Sequence, residues 1–575
     1  GDWKIIVDPY ENGYYDYRWQ PRDQSPSPSR DAYFMDAKPR DPSDLVEYDF
    51  DASPSLRVPG DWNTQSRELY YYEGTVWYRT KFTPAGSGAG ERIFLRFGAV
   101  NYRADVYLNG SKLGFHLGGF TPFSFEVTGR LKAGENSLVV KVDNKRSADG
   151  VPTLNTDWWN YGGITRDVTL VRVPARFIAS HFLHLESEQT GAIAGEVQVE
   201  GAGAGEQVRV QIPELGQDLQ AATDASGRAV FHFTPAGLRL WSPETPKLYD
   251  VRFQCGGDAV KDQIGFRTIR TRGRQILLNG RPIFLRGVAI HDELALGGGG
   301  RVTTEAQSEQ LLRWAQELGC NFVRLAHYPH NENTIRLADR LGLLVWAETP
   351  VYWTIAWENP DTYRNAEEQL SDLIRRDRER ASVIIWSVAN ETPVTEARTR
   401  FLSRLIARAR ALDGTRLVSA AMEQKTDPAR PGWRIVRDPL EAYTDLASFN
   451  EYIGWYYGTV PADIPAARWD VPQDKPIIIS EFGGGALQGR HGPATERWTE
   501  EFQAELYRQT LPMLDRLGVA GMSPWILVDF RSPRRPLPGV QDGFNRKGLV
   551  SSDGVKKQAF FVLQRYYAAK AAAAK

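Results

Sequence analysis

Hydrophobic and polar positions change their period along this chain, and the change divides it. Up to about residue 175, short segments alternate apolar and polar residues: Thr75–Phe82, Ile93–Phe97, Ala104–Leu108, Phe123–Val127 and Ser137–Val142. Turn formers such as Asn109-Gly110 and Ala133-Gly134-Glu135-Asn136 separate them. The pattern predicts a jelly-roll β-sandwich over 1–175. Pro, Ser, Arg and Asp accumulate in Gln20–Asp44, which predicts a long surface loop. A second all-β stretch, 176–270, includes Ala192–Val199, Gln207–Ile212, Ala229–Phe233 and Tyr249–Gln254. Its size and short strands predict an immunoglobulin-like sandwich in architecture, without the Cys-Trp-Cys signature of antibody domains.

Beyond Thr271, strand-like runs alternate with helical ones. The strands are Ile283–His291, Phe322–Pro329, Leu343–Pro350, Ser382–Glu391, Arg416–Met422, Leu446–Tyr452, Pro476–Gly483 and Gly521–Phe530. Helical patterns cover Thr304–Leu318, Asn333–Leu341, Ala366–Arg380, Thr395–Leu412 and Thr499–Leu517. Eight such units predict a (β/α)8 barrel of the TIM type over 271–567. The last residues, 568–575 (AAKAAAAK), are helix-prone, low in complexity and read as an appended tail.

Two of these strands point to chemistry. Ser382–Glu391 and Pro476–Gly483 are apolar, β-branched runs that each lead into one glutamate. A continuous apolar run reads as a strand buried on both faces. A charge belongs at its end, where parallel barrels place catalytic side chains. Glu391 and Glu481, from the fourth and seventh strands, are a carboxylate pair suited to glycosidic-bond cleavage. One must stay protonated to donate to the leaving oxygen, and the other must stay ionised to attack the anomeric carbon. Other strands also end in polar or aromatic residues, among them His291, His327, Glu348, Asn390, Asn450, Tyr452 and Trp525.

Composition narrows the partners. Lys+Arg is 70 and Asp+Glu 71, a net charge of −1, which gives no field favouring nucleic acid. No apolar run is long enough for a membrane span, and Gly1-Asp2-Trp3 carries no signal-peptide pattern. The chain reads as a soluble protein of a bacterial cytoplasm or periplasm. The 17 Trp and 24 Tyr tilt towards stacking on sugar rings. Cys255 and Cys320 fall in different predicted domains and read as free thiols. His327 and His330 are spaced H-x-x-H at a strand end rather than on a helix, so no metal is assigned. Trp353, Trp357 and Tyr352 follow the third strand and could stack on a second sugar or pack against the neighbouring loop.

Trp386-Ser-Val-Ala-Asn390-Glu391, Ser480-Glu481-Phe482-Gly483 and the sandwich–sandwich–barrel order together resemble glycoside hydrolase family 2. The resemblance covers nearly the whole chain. It implies a retaining exo-β-glycosidase that needs no cofactor and assembles as a homo-oligomer. The substrate would be a small-molecule or oligosaccharide glycoside. Glu391 matches the general acid/base, Glu481 the nucleophile, and Asn390 the residue that binds the hydroxyl beside the cleaved bond.

Within the family the chain is most similar to the β-glucuronidase branch. The stretch Asp157 to Arg166 resembles its active-site loop, with Asp157 on sugar hydroxyls, and His327-Tyr328-Pro329 resembles its second-strand motif. Asn450 to Tyr456 resembles its sixth-strand segment, with Tyr452 near the nucleophile and Tyr456 in the pocket wall. Trp525 matches the pocket floor, and Asn545-Arg546-Lys547 a motif that grips the glucuronate carboxylate. A fixed cation is what a permanently anionic sugar requires. The chain departs from that branch at Ile526-Leu527-Val528 and in the basic loop Arg531-Ser-Pro-Arg534-Arg535-Pro536. Gln541 and Asp542 stand where the branch carries an arginine, so Arg531, Arg534 or Arg535 is expected either to replace it or to bind a longer acidic glycan. A β-galactosidase, or an inactive carbohydrate-binding protein, is the alternative.

Overall fold

The computed structural model describes every residue except Ser87, Ala89, Ala574 and Lys575. The chain forms two compact units. The first comprises Gly1–Ser147, Asn160–Ala175 and Gly298–Thr303, and the second comprises Ala148–Trp159, Arg176–Gly297 and Thr304–Lys575.

The first unit is a β-sandwich. Its larger sheet orders six strands as Ser55–Arg57, Asp2–Val7, Thr75–Phe82, Asn136–Asp143, Arg103–Leu108 and Ser111–Leu117. Glu91–Phe97 lies between Phe123–Glu126 and Val168–Pro174 in the smaller sheet. Val76, Tyr78, Val140 and Val142 of the large sheet meet Ile93, Leu95 and Phe97 of the small one. The other face of the large sheet is apolar too: Trp77, Tyr107 and Val139 pack against Tyr14, Phe34, Tyr48 and Phe50. Phe34 lies in the segment expected to be a surface loop, so part of that segment packs into this second aromatic core. Three consecutive apolar residues, Val76-Trp77-Tyr78, require a cover on both faces, whereas strict alternation would leave one in water.

In the second unit, a three-stranded sheet (Phe177–Ser187, Ala192–Glu200, Arg228–Phe233) faces a four-stranded one. The latter orders Gln217–Ala222, Gln207–Ile212, Tyr249–Cys255 and Asp258–Ile264. Ile193, Val197, Val208, Val210, Val251 and Phe253 fill the space between the two sheets.

The barrel follows. Its strands are β1, in two pieces (Leu285–Arg286 and Ala289–Ile290), β2 (Phe322–Leu325), β3 (Leu344–Glu348), β4 (Val383–Asn390), β5 (Leu417–Glu423), β6 (Ala447–Asn450), β7 (Ile477–Glu481) and β8 (Gly521–Met522). All pair in parallel. The first piece of β1 pairs with β8 and the second with β2, which closes the cylinder. The helices are α1 (Glu305–Glu317), α2 (Glu332–Leu341), α3 (Pro360–Asp377), α4 (Glu396–Leu412), α5 (Glu500–Leu517) and α6 (Gln558–Ala573). Threonines cap α1, α4 and α5 at Thr304, Thr395 and Thr499. Helix α3 starts earlier than expected, because Asn359 caps it and Pro360 suits the first helical position.

Among the described residues no α-helix follows β5 or β6. Prolines at 428, 431, 439, 461, 465 and 472 break any helical run there. Short 3-10 turns and a small sheet of Lys425–Thr426, Trp433–Ile435 and Arg468–Asp470 stand in their place. The alanine-rich stretch continues α6 as far as Ala573, and the tail's last two residues lie outside the described ones.

Candidate active site

The C-terminal ends of the barrel strands surround a cavity of about 310 Å³. Glu391, Glu481, His327, Tyr452, Tyr456, Trp525, Asp157 and Lys547 line it, with Tyr352, Trp353, Glu423, Tyr457, Arg534 and Arg535. The volume is at the lower end for small-molecule sites.

Glu481 ends β7. Its Oε1 accepts from Arg324 Nη1 at 2.8 Å and its Oε2 from the Tyr452 hydroxyl at 2.7 Å. Gly483 follows with φ +146°, and a Cβ there would sit 2.7 Å from the Trp525 carbonyl oxygen, so only glycine fits. Glu391 stands just past β4 with φ +47°, a left-handed conformation that costs a side-chain-bearing residue about 1–3 kcal/mol. Its Oε2 accepts from Trp353 Nε1 and its Oε1 from Asn450 Nδ2, both at 2.9 Å. Burial, and then the negative charge of Glu481, push the Glu391 carboxyl up to about 7. Its two hydrogen bonds oppose that shift without cancelling it.

The two glutamates share a buried support. Arg324, in the middle of β2, is fully buried and also donates Nε to Glu348 Oε1 at 2.6 Å and Nη2 to Asn390 Oδ1 at 2.7 Å. Burial drives the Glu348 carboxyl up, but Arg324 and then His327 outweigh it and hold the group below its ordinary range. Asn390 receives a second bond from Asn450, at 3.3 Å, and its own Nδ2 is buried without a protein partner. Ser480 Oγ donates to Asn450 Oδ1 at 2.6 Å and fixes that amide in turn. His327 stacks on Trp525 at 4.8 Å and lies 3.8 Å from Glu481 Oε1.

A basic group occupies the same cavity. Lys547 Nζ donates to the Tyr456 hydroxyl at 2.8 Å and lies over the Tyr452 and Tyr456 rings. Burial pushes that hydroxyl up, yet Lys547 and then Arg535 outweigh it and hold it below its ordinary value. Gly548 lets the chain pass close to Asp529, since a Cβ would fall 2.2 Å from the Asp529 nitrogen. Asp529 Oδ1 accepts from Gly548 N and from the buried Lys557. Asp157 Oδ1 accepts from Ser532 Oγ at 2.6 Å and Arg535 Nε at 3.0 Å, and its Oδ2 accepts from Asn545 Nδ2 at 3.2 Å.

Most residues singled out in the sequence thus meet at one site. Asn390, Asn450 and Asn545 stand behind the lining, each bonded to a lining residue or to Arg324. Arg531 is not on the cavity wall. Its backbone N–H donates to Glu293 Oε1 at 2.9 Å and its guanidinium lies 3.7 Å from the same oxygen. Of the three candidate arginines, Arg534 and Arg535 line the cavity instead. Tyr352 lines it as well, 4.9 Å from Trp158, whereas Trp357 packs edge-on against Phe401. Arg324 escaped the sequence reading. Its signal was a lone charge inside the apolar strand Phe-Val-Arg-Leu.

Two carboxylates, one carrying a raised pKa, at the mouth of a parallel barrel define a glycoside hydrolase. Family models agree between residues 30 and 571. "Glycosyl hydrolases family 2, TIM barrel domain" matches residues 269–571. The sugar binding domain of that family matches 30–174, and its "Glycosyl hydrolases family 2" segment matches 177–267. The chain belongs to glycosyl hydrolases family 2.

It is 28% identical over 574 residues to the beta-glucuronidase of Canis lupus familiaris, covering 89% of this chain and 84% of that one. A relative from Formosa agariphila, 28% identical over 571 residues, is longer, and the chain spans 66% of it. Among solved structures, Bifidobacterium dentium beta-glucuronidase complexed with coumarin-3-O-glucuronide superposes with a TM-score of 0.83 at 26% identity, covering 99% of this chain and 96% of that one. A family 2 beta-galacturonidase from Eisenbergiella tayi bound to galacturonate gives 0.78 at 26% identity, with 90% and 93% covered.

Proposed function

We propose that the chain is a retaining, exo-acting β-glycosidase whose substrates are terminal β-D-glucuronides. Glu391 is the general acid: its raised pKa keeps a proton available for the leaving oxygen near neutral pH. Glu481 is the nucleophile and forms the glycosyl ester. Arg324 and Tyr452 hold its oxygens and balance its charge. After the leaving group departs, Glu391, now ionised, takes a proton from water, which attacks the same carbon. The unpartnered Asn390 Nδ2 would donate to the hydroxyl beside the cleaved bond.

The uronide reading rests on Lys547. Its buried ammonium shares a small cavity with the two glutamates and has the Tyr456 hydroxyl as its hydrogen-bond partner there. A neutral sugar has no use for that charge, while a sugar carboxylate would complete it. The names of the dog and Bifidobacterium relatives point the same way. The Eisenbergiella structure extends the uronate theme to the galacto epimer. From the family resemblance we also propose assembly of identical copies and a bacterial cytoplasmic or periplasmic setting. No helix among the described residues is long and apolar enough to cross a membrane.

The test is a panel of 4-nitrophenyl β-glycosides: glucuronide, galacturonide, galactoside and mannoside. Glucuronide turnover is expected to dominate, with anomeric retention by NMR. Lys547→Ala should cut glucuronide kcat/KM by roughly 30–1000-fold, the cost of stranding one partner of a buried charge pair. Any galactoside background should change far less. Failure of the parent protein to turn over any uronide would reject the proposal.

A further inference from the structure

The loop after β8 is not used by the hydrolytic chemistry above. Asp157 ties down its Ser532 and Arg535, and Pro533 and Pro536 restrict its backbone. Arg534 is therefore presented in a fixed place. Its guanidinium carbon lies 4.9 Å from the centre of the Trp353 ring, and Nη1 donates to Asn155 Oδ1. The side chain is exposed at the cavity mouth, and among the described residues no carboxylate pairs with it. A guanidinium has five N–H donors, so an outward edge is left for a ligand.

Trp353 connects this arginine to the chemistry. Its indole Nε1 donates to Glu391 Oε2 at 2.9 Å. On the reading proposed above, Glu391 meets the glycosidic oxygen, the atom that bridges the cleaved sugar and its leaving group. A residue held against Glu391 at the cavity mouth therefore borders the leaving group rather than the sugar being cleaved. Glu423 lines the same mouth from the end of β5 and would repel an anion on its own side. An anionic group is thus directed to the side of Trp353 and Arg534.

We propose that Trp353 and Arg534 form a subsite for the leaving group, and that it selects a ring bearing an anion, as in an acidic sugar or an aromatic acid. The guanidinium lying over the indole offers a flat cationic face to the ring, and its free edge takes the carboxylate or sulfate. The natural substrate class would then be a β-uronide attached to an acidic partner.

The test uses the intact enzyme and four phenyl β-glucuronides matched in size: 3-carbamoylphenyl, 3-carboxyphenyl, 3-sulfophenyl and unsubstituted. At low salt, kcat/KM for the carboxyphenyl substrate should exceed that for the carbamoyl one by about 5–10-fold, a modest gain because the arginine is exposed. Added salt should shrink the preference. Arg534→Gln should abolish it, bringing the ratio of carboxyphenyl to carbamoylphenyl kcat/KM to about one, and Arg534→Lys should keep part of it. The sulfophenyl arm shows which anion the guanidinium takes. A parent that hydrolyses acidic and neutral glucuronides equally, or an Arg534→Gln variant that slows both alike, overturns the subsite. A parent inactive on all four instead overturns the uronidase reading beneath it.

Discussion

Arg324 and Glu481 form an ion pair with Nη1 and Oε1 2.8 Å apart, at side-chain exposures of 0% and 5%. The same guanidinium spans Glu348 and Asn390, so one residue of β2 orders groups from β3, β4 and β7. Without it, the buried carboxylates of Glu348 and Glu481 would lose the guanidinium that lies between them. Such a state is avoided by protonation or by local opening, and either would disable a nucleophile. Arg324→Met should cost about 3–5 kcal/mol of stability, read by denaturant unfolding, and remove turnover on every substrate. Arg324→Lys keeps the charge but loses the fork, and should recover stability more than rate. A methionine variant with parental stability and activity would show that the pair does not support the site.

The raised pKa of Glu391 sets the alkaline side of the activity profile. The acid must be protonated when the substrate arrives, so kcat/KM should fall as pH rises past about 7, the value that burial and Glu481 give its carboxyl. Glu391→Gln should remove that limb. It should also slow substrates with poor leaving groups far more than those with activated ones, which need no proton. An alkaline limb that persists in the glutamine variant would assign it to another group.

Much of this site was legible in the sequence because barrel strands bury both faces. A lone acid at the end of an apolar run, as at Glu391 and Glu481, has few structural reasons to be there. Lys547 stood out through the resemblance of Asn545-Arg546-Lys547 to a uronate-gripping motif, and the structure encloses it against Tyr456. Arg324 was not legible, since one charge in a four-residue strand has the same local pattern as an edge residue pointing to water. Nor was the link between Asp157 and Arg535, which spans 378 positions and leaves no local trace. The missing helices after β5 and β6 were overestimated from the regular spacing of strands, although the prolines between 428 and 472 argued against them.

Glu451 offers a prediction independent of catalysis. It is 1% exposed, and its carboxyl oxygens accept from the Ile453 N–H at 3.0 and 3.2 Å. Burial pushes its pKa up to about 8. Below the unfolded value near 4.5 the group is protonated in both states and pH has no effect. Between there and about 8 the native state keeps a proton that the unfolded chain releases, so stability falls as pH rises. Glu451→Gln lacks that proton. Its stability relative to the parent should climb from pH 5 to pH 8 and then level off, by an amount on the order of 3–5 kcal/mol. Denaturant unfolding of both proteins across that range is the measurement, and parallel curves would contradict the assignment.

Asp157 separates two roles that a loss of activity alone would confuse. The family resemblance implies direct contact with sugar hydroxyls, whereas the structure engages this carboxylate with Ser532, Arg535 and Asn545. If the carboxylate serves mainly to tie the loop, Asp157→Asn should weaken the Arg535 pair and loosen residues 531–536. It should lower glucuronide kcat/KM with a neutral leaving group by no more than about tenfold, because the loop it ties takes no part in bond cleavage. Hydrogen exchange at Ser532 and Arg535 should quicken in step. The preference for acidic leaving groups should fade as well, because Arg534 depends on the same anchor. The opposite outcome, a large loss of turnover with unchanged exchange in the loop and an unchanged leaving-group preference, would place Asp157 on the sugar itself.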